Sequence, residues 1–245
     1  MGLLDGNVIL IVHATEFVGG AVTDACLREG ATVIAQDEKF HDFAEREAFE
    51  GAHAGAIGVG TEDPDDLIRE VLSGQGRLDG LVANDGFPAI RAKVEDADPQ
   101  DMRNGLEAMV VEPFRLIGAA VRHMKQTGYG RIVVASSAVP FRGLSNYGMY
   151  VTARGAQNAM VLSLGRELAK TGITVNAVGP NFAKNPTYFP DELLANEDMR
   201  AKIESQIPMG RFGEPEEVSS VFTYLLSRNA GFVTGHCVPV AGGWA

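Results

Sequence analysis

Asn7-Val-Ile-Leu-Ile-Val12 runs directly into His13-Ala-Thr-Glu-Phe17-Val-Gly19-Gly20. Six residues rich in β-branched side chains, followed by small residues and an amphipathic stretch from about Val18 to Arg28, predict a buried strand entering a turn and then a helix. A dinucleotide-binding fold makes this turn from glycines, which let the backbone approach the pyrophosphate and let the helix pack closely on the strand. Only the last part of that fingerprint is present. His13 stands at the first glycine position and Phe17 at the middle one, so side chains occupy space that phosphates need, and Glu16 adds a negative charge beside them. Asp37, at the end of the next strand, stands where a ribose-binding acid belongs, and as a lone acid it reads equally as a cap. The turn as a whole argues against NAD(P), and no cofactor is expected. His13 itself reads either as a structural hydrogen-bonding residue or as a ligand.

Further along, short apolar runs alternate with amphipathic stretches. Strands are predicted at Ala31–Ala35, Ala54–Val59 (after a charged segment), Leu78–Ala83, Arg131–Ala135, Ile173–Val178 and Cys237–Val240. Helices are predicted from Pro64 to about Leu72, over about Asp101–Lys125 with a bend at Pro113, over Met149–Ala169 and over Pro215–Leu226. Alternation of this kind implies a parallel sheet with right-handed crossovers. The expectation is α/β: one doubly wound, Rossmann-like domain over residues 1–245, with about seven strands flanked by helices. Residues 180–208 break the rhythm as an insertion after the sixth strand, at the end of the sheet where open α/β folds bind ligands.

Composition narrows the classes. The 245 residues are 45% hydrophobic and 22% charged, which excludes wholesale disorder. No apolar run approaches the ~20 residues of a membrane helix, and the start lacks the basic region and apolar core of a signal peptide. Two cysteines, Cys26 and Cys237, suggest a reducing, cytoplasmic setting. A net charge of −11 argues against nucleic acid or an anionic membrane as partner. No Cys/His/carboxylate cluster has metal-ligand spacing. The 29 glycines, frequent markers of phosphate turns in α/β proteins, sharpen the contrast with positions 13 and 17.

The chemistry is concentrated after the fifth strand. Ser136-Ser137 ends that strand; Tyr150 follows Ser137 by thirteen residues, and Arg154 lies four residues further, on the same helix face. A free phenol titrates near ~10, too high for a general base at neutral pH, but a permanently charged guanidinium beside it favours the phenolate. A strand-end serine can hold a substrate oxygen beside the phenol.

These residues and their spacing resemble the short-chain dehydrogenase/reductase superfamily over nearly the whole chain. That superfamily carries Tyr-x-x-x-Lys, whereas this sequence has Tyr150-Val-Thr-Ala-Arg154. Arginine for lysine, together with the filled glycine turn, resembles the haloalcohol (halohydrin) dehalogenases, cofactor-independent relatives on the same scaffold. Asp37-Glu-Lys-Phe40, Asn84-Asp85-Gly-Phe87, Ser137-Ala-Val-Pro-Phe141, Gly179-Pro-Asn-Phe182 and Asn185-Pro-Thr-Tyr-Phe-Pro190 add to the match. The dehydrogenase proton-relay asparagine is missing from Ala108–Glu112.

The resemblance implies a carbon–halide lyase. Tyr150 takes the hydroxyl proton of a vicinal haloalcohol, Ser137 holds that oxygen, Arg154 favours the phenolate, and the alkoxide expels halide to close an epoxide. Reversal opens epoxides with azide, cyanide or nitrite. Asp85 fits the family's acid that contacts the arginine and relays protons to solvent. A halide nest is implied in the loop Pro180-Asn181-Phe182-Ala183, walled by Phe17 and Phe189, whose ring edges tolerate a polarisable anion. Phe87, Val139, Leu144 and Tyr147 are candidate substrate walls, and Trp244 a candidate cover. Partners implied are haloalcohols, epoxides, small anions and copies of the chain itself: a homotetramer is expected through the helices at about 101–125 and 149–169. Two rivals remain: an NAD(P)H-dependent reductase, since Tyr147 and Arg154 also give the spacing of enoyl-thioester reductases, and a non-catalytic small-molecule sensor.

Overall fold

The computed structural model describes residues 2–245, and its core is a seven-stranded, all-parallel sheet. The strands are β1 (Val8–Val12), β2 (Thr32–Gln36), β3 (Ala56–Val59), β4 (Gly80–Ala83), β5 (Gly130–Ala135), β6 (Ile173–Pro180) and β7 (Cys237–Val240), in the order β3-β2-β1-β4-β5-β6-β7. The chain starts in the middle, winds outward to β3, then crosses back to β4 and winds the other way. The reversal falls between β1 and β4, where ligands of such sheets bind. Every residue of β1, β4 and β5 is buried, as continuous apolar runs require when helices cover both faces.

The helices are α1 (Gly19–Arg28), α2 (Phe43–Ala52), α3 (Pro64–Gln75), α4 (Pro99–Leu106), α5 (Glu112–Thr127), α6 (Gly148–Leu168), α7 (Asp191–Leu194), α8 (Glu197–Glu204) and α9 (Pro215–Leu226). Leu67, Ile68 and Val71 of α3, Leu116 to Met124 of α5 and Val161 and Leu168 of α6 cover one face. Val22 and Cys26 of α1 and Val218 to Leu226 of α9 cover the other. The start of α3 is fixed by Asp63, whose carboxylate accepts from Asp65 and Asp66 N–H, with Pro64 in the first turn; Gly76 ends the helix in the left-handed conformation. Gly19 is required where α1 meets β1: a Cβ there would lie 2.5 Å from Ala14 O. Among the described residues no helix is long and apolar enough to cross a membrane.

Two departures from the expected elements have clear causes. Helix α2 lies in the charged segment before β3; it buries only Phe49, so no apolar stripe marks it, and its start rests on the Asp42 cap. The long helix predicted over 101–125 is two helices joined by a π turn at Glu107–Val111, in which Glu112 N–H donates to Glu107 O. Pro113 lacks the N–H that would bond to Met109 O, so the wide turn falls just before it. The insertion folds into α7 and α8, preceded by a loop at 181–190 that closes over the carboxyl ends of the strands.

Candidate active site

Strand β5 delivers Ser136 and Ser137 to the sheet's carboxyl edge. Ser137 Oγ accepts from Val139 N–H at 3.2 Å and donates to Pro180 O at 3.4 Å, which aims it between β5 and β6. Gly179 permits this approach, since a Cβ there would stand 2.8 Å from Ser137 C. Tyr150 and Arg154 share the buried face of α6 with Ala153, Gln157 and Val161.

Arg154 is 0% exposed and nearly every donor it has is engaged. Nε donates to Tyr150 Oη at 3.3 Å; Nη1 donates to Asp85 O at 3.1 Å, Ala135 O at 2.7 Å and Gln157 Oε1 at 2.9 Å; Nη2 donates to Tyr188 Oη at 3.0 Å. The rings of Phe17, Tyr150 and Tyr188 surround it, with centroids 5.3, 5.4 and 6.0 Å from Cζ. No partner is a carboxylate. Burial opposes its charge, but attraction to the Tyr150 and Tyr188 oxygens outweighs that and raises its pKa. A buried cation balanced only by dipoles favours negative charge on an oxygen in contact with it. Tyr188 is not that oxygen. Burial pushes its phenol up to about 12 against the pull of Arg154, and its hydroxyl donates to Phe87 O at 2.9 Å. Tyr150, Tyr188 and Tyr147 all line the cavity that holds Ser137, and of these Tyr150 is the phenol that accepts from Arg154 Nε.

That cavity has a volume of about 280 Å³. Ser137 and Tyr150 line it together with Val139, Leu144 and Tyr147. Phe17, Pro180, Asn181, Phe182, Ala183 and Phe189 also line it, as do Tyr188 and Asn185 of the 181–190 loop. Phe182 and Phe189 pack at 5.8 Å, and Phe212 backs Phe189 at 5.4 Å. Trp244 stands behind Phe182 at 5.7 Å, clamped by Arg142, and so supports the wall rather than covering the cavity. In the loop, Asn181 N–H already donates to Val240 O at 3.1 Å. The N–H groups of Phe182 and Ala183 have no acceptor among the described residues.

The turn after β1 keeps the backbone of the glycine fingerprint without its glycines. His13 and Phe17 adopt φ of 49° and 44°, and Phe182 of the wall adopts 53°. L-residues avoid this region at a cost of about 1–2 kcal/mol each, so the surroundings must impose it. Asn84 does so for the turn: its side-chain amide donates to His13 O and Glu16 O, both at 2.9 Å. Phe17 N–H, in the turn where a nucleotide-binding fold has its glycines, donates to Thr187 Oγ1 at 2.7 Å. Asp37 is buried and committed, accepting from Thr15 N–H and Oγ1 and capping Lys39 N–H.

Two expectations are corrected. Asp85 touches Arg154 through its backbone carbonyl; its carboxylate turns away to His13, with Oδ1 3.5 Å from Nε2 and Oδ2 buried without a partner. Phe87 is no cavity wall. It packs behind Tyr150, in a separate small cavity with Gly105 and Met109, and contributes its carbonyl to Tyr188. Tyr188, Thr187, Asn84 and Gln157 are site residues that spacing did not reveal. Tyr188 and Thr187 lie inside a segment quoted for its resemblance, but nothing in the sequence ties them to Arg154 or Phe17, 34 and 170 positions away.

A doubly wound parallel sheet with Ser137, Tyr150 and Arg154 at its carboxyl edge defines the class. The sequence pattern of the family described as "Enoyl-(Acyl carrier protein) reductase" matches residues 14–245, and the chain belongs to this family, within the short-chain dehydrogenase/reductase superfamily. Among curated relatives, a 3-oxoacyl-[acyl-carrier-protein] reductase of Thermotoga maritima is 32% identical over 251 residues, covering 98% of each chain. Among solved structures, a "Dehalogenation enzyme" superposes with a TM-score of 0.97 at 44% identity, covering 99% of this chain and 100% of that one. The halohydrin dehalogenase HheC bound to ethyl (2S)-oxiran-2-ylacetate gives 0.93 at 28% identity, covering 97% and 96%.

Proposed function

We propose that the protein converts vicinal haloalcohols to epoxides and halide without a nicotinamide cofactor, and catalyses the reverse opening of epoxides by small anions. The observation that carries this reading is Arg154, a fully buried cation without a carboxylate partner, bonded to a phenol that lines the same cavity as Ser137. Tyr150 as phenolate takes the substrate's hydroxyl proton while Ser137 Oγ holds that oxygen. The alkoxide electron pair forms the new C–O bond on the neighbouring carbon, and the C–halogen bond breaks with its electrons leaving on halide. The free N–H groups of Phe182 and Ala183 and the ring edges of Phe17 and Phe189 receive the anion. Because nucleophile and leaving group sit in one molecule, deprotonation, orientation and anion stabilisation are all the protein must supply.

The names of the curated relatives suggest a second reading, NAD(P)H-dependent reduction. Phe17 with Thr187 on its N–H, and Asp37 committed to Thr15, weigh against it. Incubation with 1,3-dichloropropan-2-ol, with no nicotinamide added, decides between the readings: chloride release abolished by Tyr150→Phe supports dehalogenation. No release from this or brominated analogues, with saturable micromolar NADH binding, overturns it in favour of the reductase. No release and no NADH binding leaves the sensor. The exposed Phe114, Val111 and Leu162 on the outer sides of α5, the π turn and α6 support a homotetramer, which light scattering in solution tests.

A further inference from the structure

His13 and Asp85 form a pair that the chemistry above does not use. Asp85 follows β4, its side chain is 4% exposed, and its Oδ2 has no partner. His13 follows β1, is 47% exposed and adopts a left-handed backbone where the fold family places glycine. Their side chains meet at 3.5 Å and both line a cleft of about 240 Å³ that shares no lining residue with the substrate cavity. The main chain of Asp85 reaches the reactive pair, since its carbonyl accepts from Arg154 Nη1 at 3.1 Å. The two residues are linked again through Asn84, which holds the His13 carbonyl. The hydrogen bond to Asp85 raises the His13 pKa against the opposing effect of burial, with further help from Asp85, Asp37 and Glu16.

We propose that His13 is a positioning residue for Arg154: its imidazolium holds the Asp85 carboxylate, and with it the Asp85 carbonyl that orients the guanidinium toward Tyr150. This rests on the dehalogenation reading only for its effect on rate. The other charged groups facing His13 are Glu16, which pairs with Lys39 at 3.6 Å, and Asp37. In the cleft stand Glu38, Glu62, which pairs with His41 at 3.1 Å, and Glu112, which pairs with Arg115 at 3.0 Å. All but Lys39, His41 and Arg115 are acids, so they favour the imidazolium, and Asp85 alone connects it to Arg154. When His13 loses its proton, Asp85 is left buried without a cation, and the loop carrying its carbonyl is released.

Side-chain NMR reads this without turnover. The Arg154 Nε–H resonance, assigned by its loss in Arg154→Lys, should shift in step with the titration of His13 in the wild-type protein, above pH 6.5. In His13→Gln, which keeps an N–H donor but does not titrate, the resonance should stay fixed. In Asp85→Asn the His13 midpoint should fall toward 6.5; if that variant does not fold, His13→Gln carries the test alone. With haloalcohol as substrate, the wild-type kcat/KM should fall on the order of tenfold through the same pH range, a limb absent from His13→Gln. An Arg154 resonance indifferent to His13 titration, or one that still moves in His13→Gln, overturns the proposal, as does a variant that loses only thermal stability with the alkaline limb intact. A protein that turns over no haloalcohol fails the functional reading alone, and the NMR arm still decides this one.

Discussion

Tyr188→Phe isolates one atom of the site. The ring stays, with its edge contact to Phe17 at 5.2 Å and its tilted contact to Tyr150 at 5.8 Å, so packing is conserved. The lost hydroxyl accepts from Arg154 Nη2 and donates to Phe87 O. A buried charged donor deprived of its acceptor costs about 1.5–3 kcal/mol, while the half-buried Phe87 carbonyl can take water and adds little. For a domain of this size each kcal/mol moves Tm by about 2–4 °C, so a fall of roughly 3–12 °C is expected. The alkaline limb should change too. Because the folded-state pKa of Tyr188 is raised to about 12, its contribution is fully present below the unfolded value near 10 and is lost as pH rises through the folded one. Tyr188→Phe should lack that loss. The freed guanidinium edge turns toward another acceptor and carries Nε away from Tyr150, for which a ten- to hundredfold drop in kcat/KM is the order of magnitude. Calorimetry at pH 7 and pH 11, with chloride release from 1,3-dichloropropan-2-ol, measures all three. A Tm within 1 °C of wild type, or kcat/KM within twofold, would falsify the view that Tyr188 holds the arginine.

Thr187→Val, nearly isosteric, strands the Phe17 N–H; a loss of about 1–3 kcal/mol is expected by thermal unfolding, with still no saturable NADH fluorescence titration because Phe17 keeps the space filled. The His13–Asp85 pair, with a raised histidine pKa, stabilises the fold fully below pH ~6.5 and loses that effect as pH rises through the folded value. With His13 half exposed the gain is about 1 kcal/mol or less, so the Tm difference between wild type and His13→Gln should be measurable at pH 6 and shrink as pH rises. Burial pushes the thiols of Cys26 and Cys237 up to about 12, so neither should react with an aromatic disulfide at pH 8 until the protein is unfolded. Fast labelling of either in the native state contradicts the structure.

The legible parts of the fold were those with a period or a cap. β1, β5 and β6 read as apolar runs, α3 and α9 announced themselves by an acid and a proline at their starts, and Ser137, Tyr150 and Arg154 fell at spacings that a strand end and one helix turn impose. Helix α2 buries one phenylalanine on a charged segment and left no stripe to read. The same limit applies at the site. Asp85 meets Arg154 through its carbonyl and not its carboxylate, because a sequence carries no record of which way a loop residue turns its side chain.

By itself, the order of residues determined a parallel α/β sheet, a turn after β1 with side chains at positions 13 and 17 in place of glycine, and a phenol–guanidinium pair one helical turn apart. Local pattern suffices for these, since strand, turn and i,i+4 geometry depend on neighbours in the chain. Tertiary structure alone decided what the groups around that turn and that pair bond to. Thr187 takes the Phe17 N–H, Tyr188 closes the guanidinium's fork from 34 residues away, and the Asp85 carboxylate faces His13 rather than Arg154. Each is a contact between segments that the fold brings together to satisfy buried donors and charges. Burial makes such groups costly to leave unpaired, and burial exists only once the whole chain has packed.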